Sequence, residues 1–279
     1  VAQAGVGRIL RVGAVQYRPI PRDPGRNLAA LEALVLRAAG RGASLVVLPE
    51  LCTTGLVLGE PACAARWAEP LGGTSTARLG RVARAAGVHL AAGLPTRSPE
   101  GALHNTQVLL GPRGELLGHY HKNHLYGPDF SWAQPGRGYR AVPTALGVIG
   151  LCVCFDVNFP GAWEALRAAG AEVVAFSTAW VDDAPPWPHW LAPVGRYRVA
   201  LVAGNTWGQE GGIRFSGGSG VVHPGGGLLA ATGREGDDVA VADLLLHAPA
   251  DHVHRQIPGR VPGAPERSPV PQPPIRRSR

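Results

Sequence analysis

Three side chains in this sequence have types suited to acyl chemistry: a carboxylate to move protons, a thiol to attack a carbonyl and an ammonium to hold developing charge. Lys122 stands out first. Of 27 basic residues it alone is lysine, the other 26 being arginine. A compact, tunable ammonium serves where the wide guanidinium fork does not, so the retained lysine marks a candidate site; chance survival under GC-rich codon bias is the competing explanation. Cys154 ends an apolar run in Gly-Leu-Cys-Val-Cys-Phe-Asp and precedes a turn that opens a helix. Free N–H groups at a helix start favour a thiolate there, although buried structural cysteines are commoner and Cys152 lies in the same run. Adjacent i, i+2 thiols rarely pair, so both are expected to be reduced. Glu50 follows Val-Val-Leu-Pro. Burial at that point raises a carboxylate toward the range a general base needs; capping of a neighbouring helix is the alternative.

These residues need a scaffold that brings strand ends together. Apolar runs of strand type alternate with helical periods. We expect strands over 9–16, 44–48, 88–92, 103–110 and 115–120, with helices over 27–39 and 75–86. Asn27 is a plausible N-cap, and Gly40 and Gly87 stop the two helices. A Gly-Pro-Arg-Gly turn joins the fourth and fifth strands. The pattern resumes with a strand over 145–153, a helix over 161–169 and a strand over 172–177. A Trp/Pro-rich passage follows, then a strand over 200–203, glycine-rich hairpins over 215–230 and a closing strand over 238–246. Alternating β and α elements predict an α/β fold with covered sheets. In such sheets ligands collect at the carboxyl ends of strands, where Glu50, Lys122 and Cys154 all fall.

Composition removes several function classes. With 45% hydrophobic and 17% charged residues, 279 residues suit one good-sized globular unit. No apolar run reaches the roughly 18 residues of a membrane span. Residues 1–8 have no signal-type apolar stretch, and four cysteines do not form a disulfide scaffold, so a cytoplasmic protein is expected. The net charge of +7 is mostly local: from Arg255 onward six arginines face one glutamate, leaving +2 for the rest. Residues 258–279, rich in proline and arginine, read as a disordered tail beyond a domain spanning 8–250. No aromatic interleaving suggests base stacking, so nucleic acid is not an expected partner. His119, His121 and His124 lack a nearby acidic or Cys partner and flank a lysine, so no metal is expected. Gly217–Gly220 lacks a P-loop lysine and reads as a tight hairpin. Among the tryptophans, Trp180 follows a strand neighbouring that of Cys154 and is placed at the pocket wall.

The order of these motifs resembles the nitrilase superfamily of carbon–nitrogen hydrolases over Arg8 to about Leu246. The resemblance is carried by Gly13-Ala-Val-Gln16, Asn27, Leu48-Pro-Glu-Leu51 with Thr54-Gly55, and His121-Lys122-Asn-His-Leu125. It continues in Cys154-Phe-Asp156 with Phe159-Pro160, Ala179-Trp180, Asn205, and Phe215-Ser-Gly-Gly-Ser219 with Pro224-Gly225. It implies a four-layer α-β-β-α sandwich, a homodimer or higher homo-oligomer, and cleavage of a non-peptide C–N bond through a cysteine thioester without a cofactor. It also implies Glu50 as general base, Lys122 as oxyanion stabiliser and Cys154 as nucleophile. A small amide is the expected substrate, a nitrile the less expected one, with His124, Phe155 and Trp180 as candidate substrate contacts. Acyl transfer to an amine, or binding with weak catalysis, are the other readings of the same triad. Three departures stand out. The second glutamate that many members carry after the lysine is absent, leaving Asp129 as a possible auxiliary acid. Gly161 replaces the glutamate after Phe-Pro, and Arg196 and Arg198 precede Asn205 where a Glu-Asn pair is usual. Cys-Phe-Asp, Thr178-Ala-Trp180 and Asn205-Thr206 weakly resemble the biotinidase and vanin branch, which implies secondary amides of vitamin-like molecules.

Overall fold

The computed structural model describes residues 7–246, so the 258–279 tail expected above lies outside the described residues. The first half of the chain forms β1 (Arg8–Gln16), α1 (Pro24–Gly40), β2 (Leu45–Val47), a short α2 (Pro61–Ala64), α3 (Thr74–Ala86), β3 (His89–Arg97), β4 (Leu103–Leu110) and β5 (Leu116–His121). The second half forms β6 (Arg140–Thr144), β7 (Gly147–Val153), α4 (Pro160–Ala168), β8 (Val173–Thr178), α5 (Trp187–Tyr197) and β9 (Ala200–Asn205). It continues with β10 (Trp207–Glu210), β11 (Ile213–Ser216), β12 (Gly220–Val222), β13 (Leu228–Ala231) and β14 (Asp238–Leu246).

Two sheet halves result, ordered β5-β4-β3-β2-β1-β14 and β6-β7-β8-β9-β12-β13, and joined edge to edge only at Gln16 and Asn205. Alternation along each strand decides the layers. On β2, Val46 joins Leu48 in a core with Leu31 and Val35 of α1 and Leu79 and Val82 of α3. Leu45 and Val47 point the other way, into a core shared with Leu151, Val153 and Val173 of the second half. That core also takes in Trp163 and Leu166 of α4 and Trp190 and Val194 of α5. Helices, two sheets and helices make the expected four-layer α/β sandwich. Its inner face is also stitched by polar groups. Gln107 on β4 donates to Ala175 O at 3.1 Å and Ser177 Oγ at 2.8 Å, and accepts from Cys152 N at 3.0 Å. Ser177 Oγ then donates to Leu48 O at 2.7 Å. A buried amide is tolerated when its hydrogen bonds are met, and these bonds pin the ends of β2 and β7 to one another.

Several local expectations change. The cap of α1 is Asp23, whose side chain accepts from Arg26 N at 3.0 Å. Asn27 is instead a buried bracket: its Oδ1 accepts from Tyr17 Oη and Ile20 N, and its Nδ2 donates to Ile20 O and Thr53 O, all at 2.8 Å. The strand expected over 145–153 is the second arm of a hairpin, because Gly147, at φ +99°, turns the chain back along β6. The strand expected over 88–92 runs on to Arg97, despite Pro95. The Trp/Pro-rich passage contains α5, with Pro186 before its first turn and Pro193 within it. Gly217–Gly220 is no hairpin: β11 pairs with β10 while β12 pairs with β9 and β13, and the turn wraps the Gln16 side chain, whose Oε1 accepts from Gly218 N at 2.6 Å.

Asn27→Ala should destabilise the fold by about 2–4 kcal/mol, since it leaves buried backbone groups at Ile20 and Thr53 unmet. Urea unfolding at constant m-value measures it.

Candidate active site

The carboxylate comes from the turn after β2. Pro49 ends the strand, and Leu51 adopts φ +44° so that Glu50 turns inward. Close approach of two strands requires glycine on either side: a Cβ on Gly93 of β3 would lie 2.6 Å from Glu50 Cα, and one on Gly204 of β9 would lie 2.5 Å from Val47 O. Glu50 is buried, and both its oxygens are occupied. Oε1 accepts from Lys122 Nζ and Asn105 Nδ2, each at 2.7 Å, and Oε2 accepts from Ala179 N at 2.9 Å.

The ammonium comes from the residue after β5. Lys122 N donates to Asn105 O on β4 and Lys122 O accepts from Gly136 N, both at 2.9 Å, which aims the side chain inward. Its Nζ lies 2.6 Å from Asp129 Oδ2 as well as 2.7 Å from Glu50, and all three side chains are buried. Asp129 sits in a 3-10 turn over Gly127–Ser131, where Tyr126 N donates to it at 3.2 Å. Asn105 Nδ2 reaches Asp129 Oδ1 at 3.1 Å, so one amide spans both carboxylates.

The thiol stands at the end of β7, where Cys154 adopts φ +44° at the start of a 3-10 turn over Cys154–Asn158. The same peptide meets both acid and thiol: Ala179 N–H goes to Glu50, and Ala179 O lies 4.0 Å from Cys154 Sγ. Glu50, Lys122 and Cys154, far apart in sequence, are thus all buried and close enough to interact electrostatically, with Asp129 beside Lys122.

The electrostatics follow from burial. Loss of water raises Glu50 above the ordinary carboxylate value; Lys122 pulls it down and Asp129 pushes it up again. Burial by itself works against the Lys122 ammonium, but Asp129 and Glu50 outweigh it and hold the pKa well above the usual lysine value. Burial also pushes the Cys154 thiol up, with the Glu50 charge adding to it and Lys122 opposing. The sequence suggested a thiolate favoured by a helix start. Here desolvation outweighs that field and disfavours the thiolate.

The remaining expected residues are near but differently engaged. His124 Nδ1 pairs with Asp156 Oδ1 at 2.8 Å, and its ring stacks on Phe159 at 3.5 Å. Phe155 packs against Tyr126 at 5.0 Å and Phe159 at 5.4 Å. Trp180 is buried against Trp190 and His189, and its backbone N–H donates to Asn205 Oδ1 at 3.0 Å. Asn105 escaped the sequence reading, and Asp156 entered it only as part of the Cys-Phe-Asp motif, without a role. The available signal was a pair of amides, Asn105 and Gln107, on one face of an otherwise apolar strand. Among the described residues no group of His, Cys, Asp and Glu is arranged to hold a metal ion, and no helix is long and apolar enough to cross a membrane.

Comparison with known proteins gives a consistent result. The carbon–nitrogen hydrolase family model matches residues 11–248. A nitrilase of Pyrococcus abyssi is 31% identical over 241 residues, covering 86% of this chain and 91% of that protein. An omega-amidase of Danio rerio is 29% identical over 271 residues, covering 89% of this chain and 92% of its own. The amidase from Nesterenkonia sp. AN1 superposes with a TM-score of 0.78 at 31% identity, covering 88% of this chain and 94% of that one. That structure shows covalent addition of the acetamide moiety of fluoroacetamide at the active site cysteine.

Lys122→Met leaves Glu50 and Asp129 facing each other without a counter-ion and should cost about 3–5 kcal/mol. Adding Glu50→Gln should recover part of that loss, read in a double-mutant cycle by chemical denaturation. Gly93→Ala should lower turnover without abolishing folding, because the added methyl displaces the Glu50 backbone; steady-state kinetics beside circular dichroism separates the two effects.

Proposed function

From the premise that this chain belongs to the carbon–nitrogen hydrolase family and is an amidohydrolase of that type, we propose that it hydrolyses small carboxamides through a thioester on Cys154. The observation behind this reading is the Lys122 ammonium, buried 2.7 Å from Glu50 and 2.6 Å from Asp129 beside a thiol that shares the Ala179 peptide with Glu50. A fixed cation in a dry site stabilises charge that appears only as the carbonyl is attacked.

In the proposed mechanism Glu50 takes the Cys154 proton as Sγ bonds to the carbonyl carbon, and the C=O pair moves onto oxygen. Lys122 and the Phe155 N–H face that oxyanion. When it collapses, the C–N bond breaks and Glu50 passes its proton to the departing amine, leaving the thioester. Water then gives a proton to Glu50 and adds to the thioester carbon, the C–S bond breaks, and the sulfur recovers a proton from Glu50. One carboxylate thus serves as base and acid in turn. Asp129 holds Lys122 and takes no proton in this scheme. A carboxamide is preferred over a nitrile as substrate, and the nitrilase and amidase relatives make both worth assaying.

Intact mass spectrometry on a panel of primary amides, pantetheine, a biotinyl amide and an aliphatic nitrile tests the proposal. The expected result is an acyl adduct with release of ammonia or amine, both abolished in Cys154→Ala. Turnover in that variant would reject the thioester route, and diversion of the acyl group onto an added amine would identify transfer in place of hydrolysis. Glu50→Gln should lower kcat by about 10²–10⁴. Activity requires unprotonated Glu50, so kcat/KM should rise with pH through that group's pKa, centred above the ordinary value of 4.5 because burial raises it. Lys122 is held charged well above 10.5 and causes no loss of activity below that pH. A pH–rate profile from pH 4 to 10 reads both expectations.

A further inference from the structure

The group that ties the lysine loop to the cysteine turn is Asp156, two residues beyond Cys154. It is fully buried, and its carboxylate accepts hydrogen bonds from two separate stretches of chain, 120–124 and the end of β7. Oδ2 accepts from Tyr120 Oη at 2.9 Å, at the end of β5, and from Val153 N at 3.2 Å, immediately before the cysteine. Oδ1 accepts from His124 N at 2.9 Å and pairs with His124 Nδ1 at 2.8 Å. Tyr120 Oη in turn accepts from Asn123 N at 3.2 Å. The stretch 120–124 therefore bends around this one carboxylate with Lys122 at its centre, while Val153 and Asp156 bracket Cys154.

Ring packing reinforces the link. His124 lies face to face with Phe159 at 3.5 Å and 9°, and Phe159 N donates to Asp156 O at 3.1 Å. One side of the histidine is thus held by the Asp156 side chain and its face by the end of the turn that Cys154 begins. None of these four hydrogen bonds of the Asp156 carboxylate goes to Glu50, Lys122 or Cys154. Its effect on them runs through the backbone on either side. A carboxylate with this many donors is an inflexible joint, since each donor removed leaves a buried lone pair unmet.

We propose that Asp156 is a positioning residue for amide hydrolysis, holding the Lys122 loop and the Cys154 turn in register so that oxyanion and nucleophile positions match. The proposal rests on the catalytic roles assigned above. Misplacement of such a pair by about 1 Å costs on the order of 10²-fold in rate even when the substrate still binds. The signature is therefore a fall in kcat with KM little changed, which a general loss of folded protein does not produce when active sites are titrated.

The experiment compares wild type, Asp156→Asn, Tyr120→Phe and Cys154→Ala on the primary carboxamide that wild type turns over fastest, with active-site concentration in the three that retain Cys154 fixed by iodoacetamide titration. Labelling is read at the Cys154 peptide by mass spectrometry, since Cys63 is exposed and also reacts. Asp156→Asn keeps the shape but replaces one acceptor oxygen by an amide nitrogen. It should lower kcat by about 10²-fold and leave KM within about twofold. Tyr120→Phe removes one of the four donors and should lower kcat roughly tenfold in the same manner. Folded Asp156→Asn with wild-type kcat, or with its loss confined to KM, overturns the proposal. Should Asp156→Asn fail to fold, Tyr120→Phe decides: a kcat loss at constant KM supports positioning, and wild-type kcat overturns it. Activity surviving in Cys154→Ala would instead overturn the thioester reading, an outcome independent of either Asp156 result.

Discussion

The buried ammonium of Lys122, clamped between Glu50 and Asp129, is the constraint around which the site is organised. Taking three ionisable groups out of water is costly unless each finds close partners, and removing any one leaves the others exposed to that cost. The partners explain much of the local architecture. Asn105 spans the two carboxylates, the Ala179 N–H meets the free oxygen of Glu50, and the turn over Gly127–Ser131 presents a backbone N–H to Asp129. Each comes from a different element, so the clamp forms only when β2, β4, β5 and β8 end in the same place.

Polar stitching between the two sheet halves meets that requirement. Gln107 and Ser177 connect β4, β7, β8 and the end of β2 across the inner face. Gln16 and Asn205 join the halves at their shared edge, with Asn205 also holding Trp180 N, Ser216 and Gly217. Apolar packing tolerates small sliding of one sheet on another, whereas directional hydrogen bonds do not. Against this rigid frame, the positive φ values of Leu51 and Cys154 persist although each costs roughly 1–3 kcal/mol. Both strained residues adjoin the chemistry, where they turn an acid and a thiol out of their strands toward one another.

Burial also sets the proton inventory. The same desolvation that raises Glu50 raises Cys154, so burial disfavours the charged form of both groups. A thiolate stabilised in advance would be a weaker nucleophile; a protonated thiol next to a base becomes nucleophilic as its proton leaves. Lys122 is kept charged by its two carboxylates, and in the proposed mechanism that charge meets the substrate oxyanion.

Apart from the four-residue α2, periodicity in the sequence was enough for the order of strands and helices in the first half of the chain, because amphipathic runs there are long and glycines end them clearly. The chemistry-bearing residues were legible too: one lysine among arginines, and a glutamate and a cysteine each at the end of an apolar run. Other features depended on distant partners. Asn27 looked like a cap because capping and bracketing use the same side chain, and only Tyr17 and Thr53 decide between them. The α5 helix was hidden behind prolines that its first turn accommodates, and the β6–β7 hairpin behind an uninterrupted apolar run. Asn105 offered only the weak signal of an amide paired with Gln107 on one strand face, and nothing local to Asp156 showed which donors its carboxylate meets. Local sequence determined which groups were present and which elements carry them. Tertiary structure alone decided their charge states and pairings, because desolvation and hydrogen-bond geometry are set by segments far away in the chain.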